Sequence, residues 1–99
     1  MRLIAVKNLV AYYTENPEFK TQLEIWKSEV KSANWEKPQD VIRQFSKAGV
    51  LKNGRIVFRK GNDFRIVVYI NYSRKIVYIC FLGTHAEYDK IDAETIRQY

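Results

Sequence analysis

The string Thr84-His85-Ala86-Glu87-Tyr88-Asp89-Lys90 packs the only histidine of the chain beside a tyrosine, two acids and a lysine. If 85–89 wind into a helical turn, His85 shares a side with Tyr88 and Asp89, three and four residues on. A carboxylate there can orient the imidazole or hold its charge. The plainer reading is a capped helix start with a surface histidine. Arg65 is the second residue whose chemistry stands out. In Phe64-Arg65-Ile66-Val67-Val68-Tyr69-Ile70-Asn71-Tyr72 the period is two, with Phe64, Ile66, Val68, Ile70 and Tyr72 on one face. Arg65, Val67, Tyr69 and Asn71 fall on the other. A guanidinium on a central strand needs an acid or an anionic ligand. Pairing with Asp63, Glu87 or Asp89 and binding of a phosphate both meet that need.

Imidazole, phenol, guanidinium and ammonium groups are the parts of a metal-free ribonuclease. A base takes the proton of a ribose 2′-hydroxyl, which attacks the adjacent phosphorus; cations hold the extra charge on phosphorus, and an acid protonates the leaving 5′ oxygen. Other chemistries lack their residues. One His and one Cys do not make a zinc site of the usual kind. There is no glycine-rich phosphate loop, dinucleotide fingerprint or Gly-x-Ser-x-Gly elbow, and the acids lack the spacing of a calcium loop or a two-metal centre. Cys80 lies mid-strand and reads as inert core. Neither a metal nor an organic cofactor is expected.

The elements that would position these groups change character near residue 50. Val6, Leu9, Val10 and Tyr13 form a helical stripe ending before Asn16-Pro17, and Asn16 reads as an N-cap with Pro17 at the first helical position. Phe19, Leu23, Trp26, Val30 and Ala33 then recur on one helix face. Pro38 opens a third helix with Val41, Ile42 and Phe45 inward. Beyond it, period-two strands follow around Arg55–Arg59 and Phe64–Tyr72, then an apolar strand rich in β-branched residues over Ile76–Leu82, joined by reversals at Lys60-Gly61-Asn62-Asp63 and Ser73-Arg74-Lys75, as in an antiparallel meander. Thr84 and Glu87 hold capping-box positions, and Asp92 can cap a last turn through Ile96. The expected fold is α+β, one domain over residues 1–99, with N-terminal helices packed on a small antiparallel β-sheet.

Seventeen Lys and Arg against eleven Asp and Glu leave a net charge of +6. The excess is concentrated: residues 52–75 hold Lys52, Arg55, Arg59, Lys60, Arg65, Arg74 and Lys75 against the single acid Asp63. Such a stretch favours a polyanionic partner, nucleic acid or an acidic protein. Arg55, Arg59, Lys60 and Arg74 are the candidates to grip phosphates. Tyr69 or Trp35 could stack a base, though core packing is the simpler role for both. A single cysteine and an apolar start broken at Lys7 make a cytoplasmic protein without leader or membrane span the expectation.

The stretch Gly61-Asn62-Asp63-Phe64-Arg65-Ile66-Val67-Val68, followed by Gly83-Thr84-His85-Ala86-Glu87-Tyr88-Asp89-Lys90-Ile91-Asp92, resembles the HigB family of RelE-like toxins of type II toxin–antitoxin systems. Arg2-Leu3-Ile4, the helix after Asn16-Pro17 and the Lys37-Pro38 helix start are similar too. The resemblance implies a ribosome-dependent mRNA interferase that enters the ribosomal A site and cuts the mRNA there. It also implies a HigA-type antitoxin partner, through which alone the toxin reaches DNA. It implies a small sheet with N-terminal helices against it and a concave basic face. At matching positions it places Arg65, His85, Tyr88 and Asp89 in the active face: Arg65 on the scissile phosphate, His85 or Tyr88 in proton transfer, Asp89 orienting. A non-catalytic RNA- or ribosome-binding module, and an interaction protein holding an acidic partner, are the competing readings.

Overall fold

The computed structural model describes residues 1–60 and 64–98. Its elements are β1 (Arg2–Ile4), α1 (Val6–Glu15), α2 (Lys20–Ser32), α3 (Pro38–Gln44), β2 (Gly49–Val50), β3 (Arg55–Lys60), β4 (Phe64–Asn71), β5 (Ile76–Thr84) and α4 (His85–Tyr88). The class is α+β. The strands form one five-stranded sheet in the order β1-β5-β4-β3-β2.

The sheet is mixed, which corrects the expectation of an antiparallel one: β1 pairs parallel with β5, Leu3 opposite Val77, while the other pairs are antiparallel. Three residues are too few to show a period, and Val6 and Leu9 draw the same segment into the helical stripe that follows. A parallel partner also requires a long connection, and here the three helices and β2 to β4 intervene. β2 was equally illegible. It is two residues long and is turned onto β3 by Asn53 and Gly54, both at positive φ (60° and 71°), with Leu51 N–H donating to Arg55 O at 2.8 Å. The reversal expected at Gly61-Asn62-Asp63 lies outside the described residues.

One face of β3 and β4 carries Ile56, Phe58, Phe64, Ile66, Val68 and Ile70 into the larger buried cluster, where Leu9, Leu23, Trp26, Val30, Trp35 and Val41 join them. Trp26 meets Phe58 edge-on at 5.3 Å, and Phe45 meets the same ring at 5.0 Å. The stripe on α2 is therefore core. Ile42 is only half-buried. Asn16 joins two helical segments: its backbone N–H and its Nδ2 both donate to Tyr12 O at 2.9 Å at the end of α1, and it stands at the N-cap position of a 3-10 turn, Pro17–Phe19, without a side-chain cap bond and with Pro17 first as expected.

The opposite sheet face is the one that matters for function. Val57, Val67, Cys80 and Phe81 form a second, smaller cluster there, covered by Leu51, Tyr88, Ile91, Ala93 and Ile96. The register slips between Val67 and Val68, which face Phe81 and Ile79, so Cys80 is the extra residue of a β-bulge. The bulge is stitched by Gln98: its N–H donates to Cys80 O at 2.8 Å and its Oε1 accepts from Leu82 N at 3.3 Å. Chain beyond α4 thus crosses the middle of this face, leaving one polar region on each side of it.

Candidate active site and basic face

At one end of the face, β5 hands over to α4 through a complete capping box. Thr84 Oγ1 accepts from Glu87 N at 3.1 Å, and Glu87 Oε1 accepts from Thr84 N at 2.9 Å. Gly83 precedes it for want of space: a Cβ there would come within 2.6 Å of the Phe81 ring and 3.2 Å of Glu87 Oε1. The fixed turn directs His85 back over the sheet toward Arg65, whose register partner on β5 is Gly83.

Arg65, His85 and Asp89 form a line from the interior to solvent. Arg65 is 7% exposed; its Nη1 donates to Phe64 O at 3.1 Å and its Nη2 contacts His85 Nδ1 at 3.1 Å. His85 Nε2 lies 3.6 Å from Asp89 Oδ2, with both side chains about half exposed or more (49% and 60%). A guanidinium has donors and no acceptor, so Nδ1 must be the acceptor and Nε2 of the neutral ring carries the proton facing Asp89. Of the acids considered as partners for Arg65, Glu87 gives its Oε1 to the cap, and Asp63 lies outside the described residues. Tyr88 stands beside the line rather than in it: its ring packs 6.4 Å from Phe81, against the second cluster.

Of the cations expected to hold phosphates, the exposed Arg59 lies opposite the buried Arg65 in the β3–β4 register, a like-charge cross-strand pair. Arg59 Nη1 donates to Lys47 O at 3.4 Å, over Gly49, where a Cβ would meet that nitrogen at 2.8 Å. Lys60 is half-buried beside Arg59 and lines with it a hollow of about 470 Å³ that also takes in Lys47, Gln22 and Glu29. Arg74 is exposed in the β4–β5 turn, where its N–H donates to Asn71 Oδ1. That turn is at the far end of β4, about 20 Å from Arg65 at some 3.3 Å per residue. Arg55 departs from the expectation altogether. It is 5% exposed, and its guanidinium donates to the carbonyls of Ala93 and Ile96. Period two puts Arg55 on the correct face, but no local pattern announces that the chain's last residues fold over it.

Trp35 is also interior, with Nε1 donating to Gln44 Oε1 at 3.0 Å. Tyr69, by contrast, is exposed, next to an equally exposed Tyr78. Among the described residues no three His, Cys, Asp or Glu side chains come together as a metal site, and no helix is long and apolar enough to cross a membrane.

The family comparison sets this small mixed sheet, with its buried arginine and its histidine at the strand-to-helix corner, among the RelE-like toxic components of toxin–antitoxin systems. The chain belongs to the HigB toxin family, whose model matches residues 19–91, well over half its length, and an antitoxin is thereby its implied partner. A search of curated proteins finds no match.

Proposed function

We propose that this toxin is an mRNA endoribonuclease that works in the ribosomal A site without a metal, stops translation in the cytoplasm and is neutralised by a HigA-type antitoxin, its only route to DNA. The observation that supports this most is the contact between Arg65 Nη2 and His85 Nδ1, continued to Asp89. A phosphate oxygen is a stronger partner for a guanidinium than a neutral imidazole is. An incoming scissile phosphate therefore draws Arg65 from His85 and frees the Nδ1 lone pair as the base is needed. The 2′-hydroxyl gives its proton to Nδ1 and its oxygen bonds to phosphorus. Arg65 holds the charge gathering on the phosphorane oxygens, and Asp89, beside Nε2–H, holds the imidazolium. The P–O5′ bond then breaks, and the 5′ oxygen takes a proton, for which Tyr88 on the same turn is the assigned donor. The products are a 2′,3′-cyclic phosphate and a 5′-hydroxyl. Arg59 and Lys60 contribute salt-sensitive phosphate contacts that carry no sequence information.

The test is induced expression with primer extension across a translated message. Growth arrest with discrete new 5′ ends, both lost in His85→Ala, is the expected result. Arrest with intact transcripts would replace the nuclease by a non-catalytic ribosome-binding module.

A further inference from the structure

On the far side of the segment that crosses the sheet face, Tyr69 of β4 and Tyr78 of β5 stand opposite each other in register. Their ring centroids are 5.9 Å apart, tilted by 39°, and each ring is more than a third exposed. Most other large aromatics are spent on the two clusters: Trp26, Trp35, Phe58, Phe64 and Phe81 are buried. The two tyrosines front a hollow of about 700 Å³, also lined by Arg55, Arg97, Asn53 and Asn71, a volume within the range of small-molecule sites. The Tyr69 ring is held in place by the hairpin turn beside it. Gly54 is at φ 71°, and a Cβ there would come within 2.9 Å of Tyr69 Cε2.

We infer that Tyr69 and Tyr78 form a base-stacking subsite for single-stranded RNA, separate from the Arg65–His85 centre and rimmed by Arg97. The inference rests on the nuclease reading and extends it. A planar base meets the two phenol faces, while the exposed Arg97 guanidinium is free to follow the backbone phosphate; such stacking tolerates any base. The neighbouring acid, Glu94, accepts from Lys52 N at 3.1 Å through Oε2. Tyr69 is on the same sheet face as Arg65, four residues along β4, about 13 Å at some 3.3 Å per residue. A few nucleotides of one strand span that distance. An acidic peptide would satisfy the arginine but leave the paired ring faces unmet, so RNA is the occupant the surface favours.

The experiment titrates the full-length protein into a short 2′-O-methyl oligoribonucleotide, which cannot be cut, carrying one fluorescent 2-aminopurine. Tyr69→Leu and Tyr78→Leu are each expected to weaken binding about tenfold and to restore the quenched fluorescence, whereas Tyr69→Trp and Tyr78→Phe retain both. Leucine variants that bind as the parent does would overturn the subsite. So would a loss of antitoxin binding with RNA affinity intact, which would make the pair a protein contact. Tyrosine-dependent binding by a protein that never cuts message would uphold the subsite and sink the nuclease. Cleavage lost in His85→Ala, with binding indifferent to both tyrosines, would do the reverse.

Discussion

Replacing Arg65 separates its chemistry from its structural role. Arg65→Ala deletes a donor to Phe64 O and the contact to His85 Nδ1, both at 3.1 Å, from a side chain that is 7% exposed. Hydrogen bonds from charged donors are worth about 1.5–3 kcal/mol each, partly offset by the cost of keeping a guanidinium from water, so the net loss is about 2–4 kcal/mol. That is a large share of the ~5–15 kcal/mol of an ordinary domain, and the melting temperature should drop by at least ~8 °C. Arg65→Met is the necessary companion. It keeps the stem packed and removes the buried charge, so about 1–2 kcal/mol is the expected loss. Cleavage must not follow stability. Both variants lose the group that stabilises charge on phosphorus, and both should cut about 10²–10³-fold more slowly in single-turnover assays on a ribosome-bound message. An Arg65→Met protein that is well folded and cuts at nearly the parental rate would show the guanidinium to be structural alone.

Three further outcomes follow from the same geometry. Arg55→Ala, which strips the donor from the Ala93 and Ile96 carbonyls, should cost about 2–4 kcal/mol in urea unfolding without reducing RNA affinity in proportion; a surface phosphate contact would do the opposite. Thr84→Ala should cost about 1 kcal/mol through the lost cap and also slow cleavage, because the cap aims His85; unchanged cleavage would show the turn holds without it. The Asp40 carboxylate accepts the Glu36 N–H at 2.9 Å, chiefly for which it titrates below the ordinary aspartate range, helped by the Lys37 N–H and the Arg43 charge. A carboxyl depressed on folding adds stability above its unfolded pKa that is lost as pH falls through the folded one. The advantage over Asp40→Asn should therefore vanish in acid, and an NMR midpoint at or above the ordinary value would contradict it.

Much of this was legible in the residues, for reasons that differ by element. The α2 stripe and the alternation in β3 and β4 encode the faces that meet the larger cluster, since each repeats over several turns or pleats. The Thr84–Glu87 box encodes a hydrogen-bond pattern, and the structure forms both bonds. β1 and β2 were illegible because strands of three and two residues have no period and owe their existence to the neighbours they pair with. The burial of Arg55 was illegible for a related reason: its partners lie about forty residues away, and only the folded chain brings them together. Tyr69 and Trp35 look alike as isolated aromatics, yet the fold buries one and exposes the other.

The chemistry of the cut ends distinguishes attack by the ribose from attack by water. Message cleaved on purified ribosomes by the wild-type toxin, in the presence of a chelator, is predicted to end in a 2′,3′-cyclic phosphate facing a 5′-hydroxyl, the signature of attack by the ribose itself. A 3′-hydroxyl facing a 5′-phosphate would mean that water was the nucleophile, and would contradict the roles assigned to Arg65 and His85.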